Sequence, residues 1–310
     1  MGGIGQCALD EVLDDRDMGF RMVRQATIDD YFVCIGAQKA GTTWLARVLA
    51  HHPEIFLTPV KEIHYFDHIF GITEHLSGRK RRSRHRKYFQ KHFTKLHRWP
   101  EFQAQRFWYR HYMSNPIDDT WYRALFVERQ GKRYAGEATP EYAIIGRDGF
   151  SHIRKLAPRG RILFIVRNPV ARSWSQVLHH IRAHPDDAHA LNEQELIKLL
   201  DSRRFEAIGD YVATLDNLAA TFPAEQIMVE FYEDIHRDRL GGLERICSFI
   251  GAEFDARWFP DTERLYNRSQ SGAMPDGVRR HLRLKYKHLA EDIGSRLGRL
   301  PQGWGQEFGL

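Results

Sequence analysis

The chain has 310 residues, of which 42% are apolar, 12% aromatic and 28% charged. This composition is typical of a globular protein and excludes collagen-like, coiled-coil and intrinsically disordered chains. The formal net charge of +6 is compatible with an anionic partner but does not identify one. No apolar run approaches the roughly 18 residues that a membrane-spanning helix needs, so the sequence predicts no membrane span.

The first part of the chain differs in composition from the rest. Residues 1–29 are polar and acidic without clear periodicity, and we interpret them as an extension that precedes a single domain over residues 30–310. The N-terminus lacks the basic start and apolar block of a secretory signal, which predicts a cytoplasmic location. The three cysteines, Cys7, Cys34 and Cys247, fit neither a disulfide framework nor a zinc site.

From residue 31 onward, short apolar runs alternate with helical patterns. The runs typical of strands cover residues 31–35, 161–166 and 226–232. The helical patterns cover residues 42–51, the segment after 166 to about 181, the segment after 232 to 250, and about 275–297. Short, fully apolar strands separated by helices predict a parallel sheet with helices on both faces. The predicted class is therefore α/β.

A basic and aromatic insertion interrupts this alternation over residues 68–125. Seven of the nine residues from Arg79 to Lys87 are Lys or Arg, and so many like charges cannot pack together in a core. One interpretation is a solvated, mobile loop. The other is a wall of an acceptor cleft, in which the aromatic residues stack on a sugar, aryl or lipid group; the same aromatic residues could equally form core.

The turn after the first strand has the composition of a phosphate-binding loop. It reads Gly36-Ala-Gln-Lys-Ala-Gly41-Thr42-Thr43, between an apolar strand and a helix. Glycines let successive amides face one anion, and a helix N-terminus favours negative charge. The nucleotide-triphosphatase pattern requires Lys where Thr42 stands, and here the lysine is Lys39, inside the loop. A strand-to-helix turn with an exposed lysine is the simpler alternative.

Several segments, taken in order, resemble sulfotransferases that use 3'-phosphoadenosine 5'-phosphosulfate (PAPS). Residues 39–44 look like the 5'-phosphosulfate loop of that family, and residues 61–66 look like the Lys-Glu-x-x-Phe-Phe segment of its heparan-sulfate-type and bacterial branch. Arg167 and Ser175, eight residues apart, resemble its 3'-phosphate motif. Residues 209–234 are similar to its Gly-x-Tyr block and last core strand.

The resemblance implies a P-loop-like parallel sheet and a metal-independent transfer of a sulfuryl group. PAPS would be the donor and 3'-phosphoadenosine 5'-phosphate (PAP) the product. The acceptor would be a hydroxyl or amine of a carbohydrate, lipid or small molecule, which can itself be anionic, and no nucleic-acid partner is expected. The acceptor's identity and the oligomeric state are not predicted.

The resemblance also implies a set of donor-binding residues. Lys39 would neutralise the charge that develops on the leaving 5'-phosphate, and Arg167 with Ser175 would bind the 3'-phosphate. The alternative to phosphate binding is that Arg167 has a structural role, as an arginine at a helix start that pairs with an acidic side chain. The predicted donor-binding residues are Lys39, Ala40, Gly41, Thr42, Thr43, Trp44, Arg167, Ser175, Tyr211, Asn267 and Arg268.

The catalytic base has two candidates in the sequence. Glu62 is carried over from the Lys-Glu-x-x-Phe-Phe branch, and His64 is its rival because imidazole titrates near neutrality. Both are also predicted to contact the acceptor. Glu137 and Thr139, next to a turn at Pro140, are weaker acceptor candidates.

One departure from the family pattern bears on the acceptor. Ala138 stands where several heparan-sulfate-type members have a lysine, which argues against glycosaminoglycan-like acceptor chemistry.

Two other functions share parts of these patterns. A P-loop kinase would use the same fold and anion loop, but it needs a lysine directly before Thr43 and a carboxylate for magnesium. A nucleic-acid-binding module would explain the basic run but neither Lys39 nor the pair formed by Arg167 and Ser175. The sequence therefore favours the sulfotransferase.

Overall fold

The computed structural model describes residues 27–93, 99–127, 129, 131–184, 192–260, 262–263 and 272–310. The predicted extension over residues 1–29 lies outside this description except for its last three residues. Of these, Ile28 is buried and donates its amide to the carbonyl of Leu156 at 2.9 Å. The packed domain therefore begins slightly before residue 30.

The centre of the domain is a parallel sheet of five strands within the described residues. The order is β2-β3-β1-β4-β5, and every neighbouring pair is parallel. The predicted α/β class is confirmed. The strands are β1 (Tyr31–Gly36), β2 (Ile55–Leu57), β3 (Tyr134–Ala138), β4 (Arg161–Val166) and β5 (Ile227–Phe231).

Helices connect the strands and cover the sheet. The first seven α-helices are α1 (Thr42–Leu49), α2 (Tyr65–Ile69), α3 (Gly78–Phe93), α4 (Trp99–Tyr112), α5 (Asp119–Ala124), α6 (Gly146–Leu156) and α7 (Pro169–Ala183). The others are α8 (Glu193–Leu200), α9 (Arg203–Gly209), α10 (Tyr211–Ala219), α11 (Tyr232–Arg237), α12 (Arg239–Ile250), α13 (Asp276–Leu297) and α14 (Gln302–Phe308). No helix of the described part is long and apolar enough to cross a bilayer.

The sequence pattern predicts the central strand, β1, and its neighbour β4 most closely. All six residues of β1 are buried, and so are the last five of β4. Because successive side chains of a strand point to opposite faces, burial of every residue means that both faces of the sheet are covered. Continuous apolar runs are the sequence pattern of such strands.

The sequence pattern misses β2 and β3. Strand β3 contains Gly136 and Glu137, which break an apolar run, yet all five of its residues are buried. Gly136 pairs with Phe32 in the register of β1, and a Cβ at this position would lie 2.5 Å from the Phe32 ring. Glycine is therefore needed for a close approach between two strands rather than for a turn.

The basic run of the insertion is part of helix α3, not a loop. The helical period divides its charges between two faces. Arg81 faces inward, is 4% exposed and donates to the carbonyls of Tyr112 and Ser114, both at 2.9 Å. Five other cations of the run point outward and are exposed: Arg79, Lys80, Arg82, Arg86 and Lys87.

Most aromatic residues of the insertion with described side chains belong to the core. Trp108, Tyr109 and Tyr112 are each at most 5% exposed, and the rings of Trp108 and Tyr112 are stacked with centroids 5.3 Å apart. Phe107, in contrast, is half exposed. The interpretation of these rings as acceptor-stacking faces is wrong for the three buried ones, because the core already covers them.

The contact at Gly136 leads to a prediction for stability. Gly136→Ala should lower the free energy of unfolding by about 1–3 kcal/mol, because the added methyl overpacks the Phe32 ring. Gly303→Ala is the matched control, since nothing lies within 4 Å of its Cβ position. Equilibrium unfolding in urea measures both changes. Equal effects of the two substitutions would contradict the close-approach explanation.

Candidate active site

The glycine-containing loop joins β1 to α1, as predicted. Gly41 directly precedes α1 and has φ +80°, a left-handed conformation that favours glycine. A Cβ on Gly41 would lie 3.1 Å from the Tyr232 ring. Ala40 is buried, whereas Thr42 and Thr43 start the helix and line a cleft. The loop thus presents a helix N-terminus to the cleft, where an anion is favoured.

Lys39 provides a positive charge in this loop. Its side chain lines the cleft, and no carboxylate of the described residues forms an ion pair with it. Burial lowers the pKa of Lys39, and the nearby charges of Arg182 and Arg167 lower it further. An anion bound here would relieve this repulsion, so the local field favours anion binding.

Arg167 and Ser175 are brought to the same cleft by β4 and α7. Arg167 directly follows β4, and Asn168 caps α7 by accepting hydrogen bonds from two amides, as predicted. The Arg167 guanidinium donates to the carbonyl of Lys39 at 2.6 Å and lies 4.6 Å from the centre of the Tyr232 ring. The two predicted phosphate sites therefore face one another.

The cleft that they share has a volume of about 590 Å³. Seven of the lining side chains are lysine, arginine or histidine, and two are carboxylates. Its lining residues are Gln38, Lys39, Gly41, Thr42, Thr43, Trp44, Glu62, His64, His75, Arg84, Pro140, Glu141, Arg167, Ser175, His179, Tyr232 and His236.

An aromatic wall stands beside the phosphate loop. It is formed by Trp44, Tyr232 and His236: the His236 ring lies 4.0 Å from that of Tyr232 and 5.8 Å from that of Trp44, between centroids. Trp44 was predicted from sequence, and the other two were missed because they come from α11, almost 200 residues later. Such a wall suits a flat, aromatic ligand group.

Two residues predicted or weighed for the donor side are buried and do not line the cleft. Tyr211 is fully buried, and its hydroxyl donates to the Arg167 carbonyl at 2.8 Å, so it supports Arg167 instead of contacting a ligand. Arg172 could have been solvated on sequence grounds, but it is completely buried and donates to Gln176. Asn267 and Arg268 lie outside the described residues.

Glu62 and His64 lie together on the opposite side of the cleft. Both have left-handed backbones, with φ +62° and +60°. The Glu62 carboxylate pairs with the Lys61 ammonium, and its other oxygen is 3.7 Å from Nε2 of His64. On its far side, Nδ1 of His64 lies 2.9 Å from a carboxylate oxygen of Asp67.

These contacts give the two candidate bases different protonation states. Burial alone would raise the pKa of Glu62, but its polar contact with His64 and the charge of Lys61 hold it well below its usual range. Burial alone would lower the pKa of His64, but the hydrogen bond with Asp67 and the nearby carboxylate of Glu62 raise it to about 9. At neutral pH Glu62 is thus a carboxylate and His64 an imidazolium.

Several residues of this side were missed from sequence. His64 directly precedes α2 and Asp67 lies in the first turn of that helix, so their short spacing could have identified Asp67. The His75 ring contacts that of His64 in a tilted arrangement, with ring centroids 4.5 Å apart. The pKa of His75 is lowered to about 4, first by burial and then by the charge of His64. Glu141 and Arg84 come from separate elements, and no motif in the sequence around either residue indicates that it lines the cleft.

Glu137 and Thr139, predicted as acceptor contacts, lie beneath this side and do not line the cleft. Glu137 is 1% exposed and Thr139 is fully buried. The Thr139 hydroxyl donates to the Glu137 carboxylate at 2.6 Å. Burial of the carboxylate raises the pKa of Glu137, which the hydrogen bonds of Thr139 and Tyr122 partly oppose. The acceptor-contact prediction for both residues is not supported by their position.

Comparison with known proteins identifies the family. The model described as "Sulfotransferase family" matches residues 32–256 of the chain. A sulfotransferase from Alicyclobacillus acidocaldarius is 25% identical in sequence to this chain. Its crystal structure superposes on this one with a TM-score of 0.62, over 88% of this chain and 97% of the other. The sulfotransferase STF9 from Mycobacterium avium is 14% identical, with a TM-score of 0.51 over 90% of this chain and 81% of its own, and it supports the fold alone.

A human protein is similar to part of the chain. Heparan sulfate glucosamine 3-O-sulfotransferase 6 is 26% identical over 134 residues, which are 42% of this chain. The match spans only 39% of that relative's own length. The family model covers well over half of the chain, and the fold and the cleft agree with it. The chain therefore belongs to the sulfotransferase family.

Proposed function

We propose that the chain transfers a sulfuryl group from PAPS to a hydroxyl or amine of an acceptor. The observation that carries this proposal is the meeting of two cationic sites in one cleft, one around Lys39 and the other at Arg167 and Ser175. PAPS has a phosphosulfate at one end and a 3'-phosphate at the other, so it requires two such sites. The aromatic wall beside the loop suits its adenine ring.

Lys39 acts on the leaving group in this proposal. In an in-line displacement the acceptor oxygen or nitrogen forms a bond to sulfur while the bond from sulfur to the oxygen of the 5'-phosphate breaks. Negative charge grows on that phosphate, and a preorganised cation stabilises it more in the transition state than in the ground state. The amides of Gly41, Thr42 and Thr43 would hold the same phosphate at the start of α1.

Glu62 accepts the acceptor's proton in this proposal, and His64 does not. Glu62 is an ionised carboxylate in the cleft, whereas His64 already carries the proton that a base would have to take up. The His64 imidazolium, held by Asp67, would instead donate a hydrogen bond to the sulfuryl oxygens as they transfer. The geometry thus favours the first of the two candidates from sequence.

Arg167 and Ser175 distinguish PAPS from nucleotides that lack a 3'-phosphate. A guanidinium and a hydroxyl that converge on one phosphate form charge-assisted hydrogen bonds, and Tyr211 keeps the Arg167 backbone in place. Asn267 and Arg268 remain proposed donor contacts by resemblance. Neither a kinase nor a nucleic-acid-binding module accounts for this pair, and family membership favours neither.

The acceptor is proposed only as a class: a carbohydrate, lipid or small molecule with a free hydroxyl or amine. The name of the human relative specifies a glucosamine of heparan sulfate as that protein's acceptor. In this chain Ala138 stands where several heparan-sulfate-type members have a lysine, which argues against such an acceptor. The direct test is a panel of sugars, phenols, lipids and small metabolites, each incubated with the protein and sulfur-35-labelled PAPS.

The role of Lys39 predicts a separation of rate from affinity. Lys39→Ala should lower kcat about 100- to 1,000-fold, while PAP affinity, measured by calorimetry, changes much less. Lys198→Ala, an exposed lysine on α8, is the matched control and should leave both unchanged. A parallel loss of kcat and PAP affinity would show that Lys39 only binds the nucleotide.

The role of Ser175 predicts a change in nucleotide selectivity. Ser175→Ala should weaken PAP binding roughly 10-fold or more, because a hydrogen bond to a charged group contributes about 1.5–3 kcal/mol. Binding of adenosine 5'-monophosphate, which has no 3'-phosphate, should stay the same. Calorimetry with both nucleotides measures the difference, and equal weakening of the two would argue against the 3'-phosphate site.

The protonation states predict the pH dependence of kcat. Activity should be constant from about pH 6.5 to 8 and should fall as the pH rises through about 9, where His64 loses its proton. His64→Gln should retain partial activity without this alkaline limb, and Glu62→Gln should be nearly inactive at every pH. If instead activity rose with pH near 6.5 and that limb vanished in His64→Gln, His64 would be the base.

A further inference from the structure

The turn that carries Glu62 and His64 has an unusual backbone. Glu62 and His64 have positive φ, whereas Ile63, between them, and Tyr65, after them, do not. A left-handed conformation is uncommon for residues with a side chain and persists only where the surroundings hold it. Two such residues, separated by one, therefore require strong contacts from the rest of the molecule.

The amides next to the two left-handed residues are held from beneath. The Ile63 amide donates to the Glu137 carboxylate at 3.3 Å, and the Tyr65 amide donates to the Tyr142 hydroxyl at 3.0 Å. The Tyr142 hydroxyl in turn donates to the same carboxylate at 3.1 Å. These contacts form a continuous buried connection from β3 to the backbone of the turn.

The turn is also held from the cleft side. The Arg84 guanidinium, on the inward face of α3, donates to the Glu62 carbonyl at 2.7 Å. The basic run from Arg79 to Lys87 thus reaches the active site through one arginine, while its outward cations lie on the opposite face of the helix. The turn lies between this arginine above and the buried carboxylate below.

The buried carboxylate has no capacity left for a substrate. It accepts hydrogen bonds from Ile63, Thr139, Tyr122 and Tyr142, two on each oxygen, and no cation of the described residues pairs with it. A carboxylate that four donors saturate is satisfied without charge pairing. Its location under the turn and its partners suit a structural role directed at the turn's backbone.

We propose that Glu137 and Tyr142 are positioning residues for catalysis: by holding the amides of Ile63 and Tyr65, they keep Glu62 and His64 in the left-handed conformations from which both side chains reach the cleft. This inference rests on the proposed function of Glu62 as the base. A displacement of the base by about 1 Å can cost roughly 100-fold in rate, so the positioning matters for kcat.

The test uses three variants of the full chain. Tyr142→Phe removes the hydroxyl that accepts from the Tyr65 amide. Glu137→Leu removes the carboxylate that accepts from the Ile63 amide and from the Tyr142 hydroxyl. Glu137→Gln is the conservative rescue, because its carbonyl oxygen can still accept from Ile63 while its amide faces the tyrosine hydroxyls, which can accept. Tyr122→Phe is the matched control: it removes a hydrogen bond to the same carboxylate without touching the turn's amides.

We expect kcat to fall roughly 10- to 100-fold in Tyr142→Phe and Glu137→Leu, and to stay within a few-fold of wild type in Glu137→Gln and Tyr122→Phe. PAP affinity, by calorimetry, should be unchanged in all four. The alkaline limb of the pH profile should also move to lower pH in the first two, because His64 loses its alignment with Asp67 and Glu62. A purely structural role would not move that limb.

Glu62→Gln, measured in parallel, separates the two proposals. If Glu62→Gln is inactive while Tyr142→Phe has wild-type kcat and an unshifted pH profile, the positioning role is wrong and the base assignment stands. If Glu62→Gln retains wild-type activity, the base assignment fails and the positioning role fails with it. If Glu137→Leu does not fold, Tyr142→Phe still decides, since it removes a single hydroxyl.

Discussion

The active site depends on one hydrogen bond, from the Arg167 guanidinium to the carbonyl of Lys39. It joins two loops that are 128 residues apart in the chain and that follow neighbouring parallel strands, β1 and β4. Parallel strands end at the same edge of a sheet, which is where ligands of open α/β sheets bind. The sheet order therefore creates the cleft, and this bond sets the relative position of its two cationic sites.

The surroundings of Arg167 explain why it can serve two purposes. Its backbone carbonyl accepts from Tyr211, the amide of the next residue donates to Glu233, and its guanidinium lies over the Tyr232 ring. These contacts restrain the residue on three sides. The guanidinium has five donors in a fixed fork, so one bond to Lys39 leaves others for an anion.

Charge differs between the two sides of the cleft. Lys39, Arg167 and the start of α1 make one side positive, whereas on the other side the Glu62 carboxylate contacts Lys61 and His64. The Glu141 carboxylate accepts a hydrogen bond from Gln38 of the glycine-containing loop. Burial raises the pKa of Glu141, with the charge of Glu62 adding to the effect and that of His64 opposing it. In the proposed reaction, the positive side holds the phosphates of the nucleotide and the Glu62 carboxylate accepts the proton.

The backbone at Glu62 and His64 is strained, as it also is at Lys39, whose φ is +67°. Two left-handed residues cost of order 1–3 kcal/mol each, and buried hydrogen bonds from other elements maintain them. Such a turn has no hydrophobic pattern or glycine to mark it in a sequence. Its parts come from residues 62–65, 84, 137 and 142, which only the folded chain brings together.

The sequence predicted the features that depend on residues close together in the chain and missed those that depend on contacts between distant residues. Strands β1, β4 and β5, the phosphate loop and the cap at Asn168 were predicted because each depends on residues adjacent in the chain. Strand β3 was missed because its Glu137 and Gly136 suit distant partners, the turn at Ile63 and the ring of Phe32. Tyr211 was predicted to contact the nucleotide, but its hydroxyl donates to the backbone carbonyl of Arg167. A hydrogen bond to a backbone carbonyl does not depend on the residue type there, so the sequence does not indicate it.

The amino-acid sequence alone determined the α/β class, the order of the motifs and the chemical types at the donor site, because local spacing and apolar periodicity encode them. Only the tertiary structure decided that the neighbours of Glu62 lower its pKa and those of His64 raise its pKa. It also decided that Arg84, alone of the basic run, lines the cleft, and that Glu137 lies beneath it. Protonation and burial depend on groups that folding brings within a few ångströms, and the chain order does not record those distances.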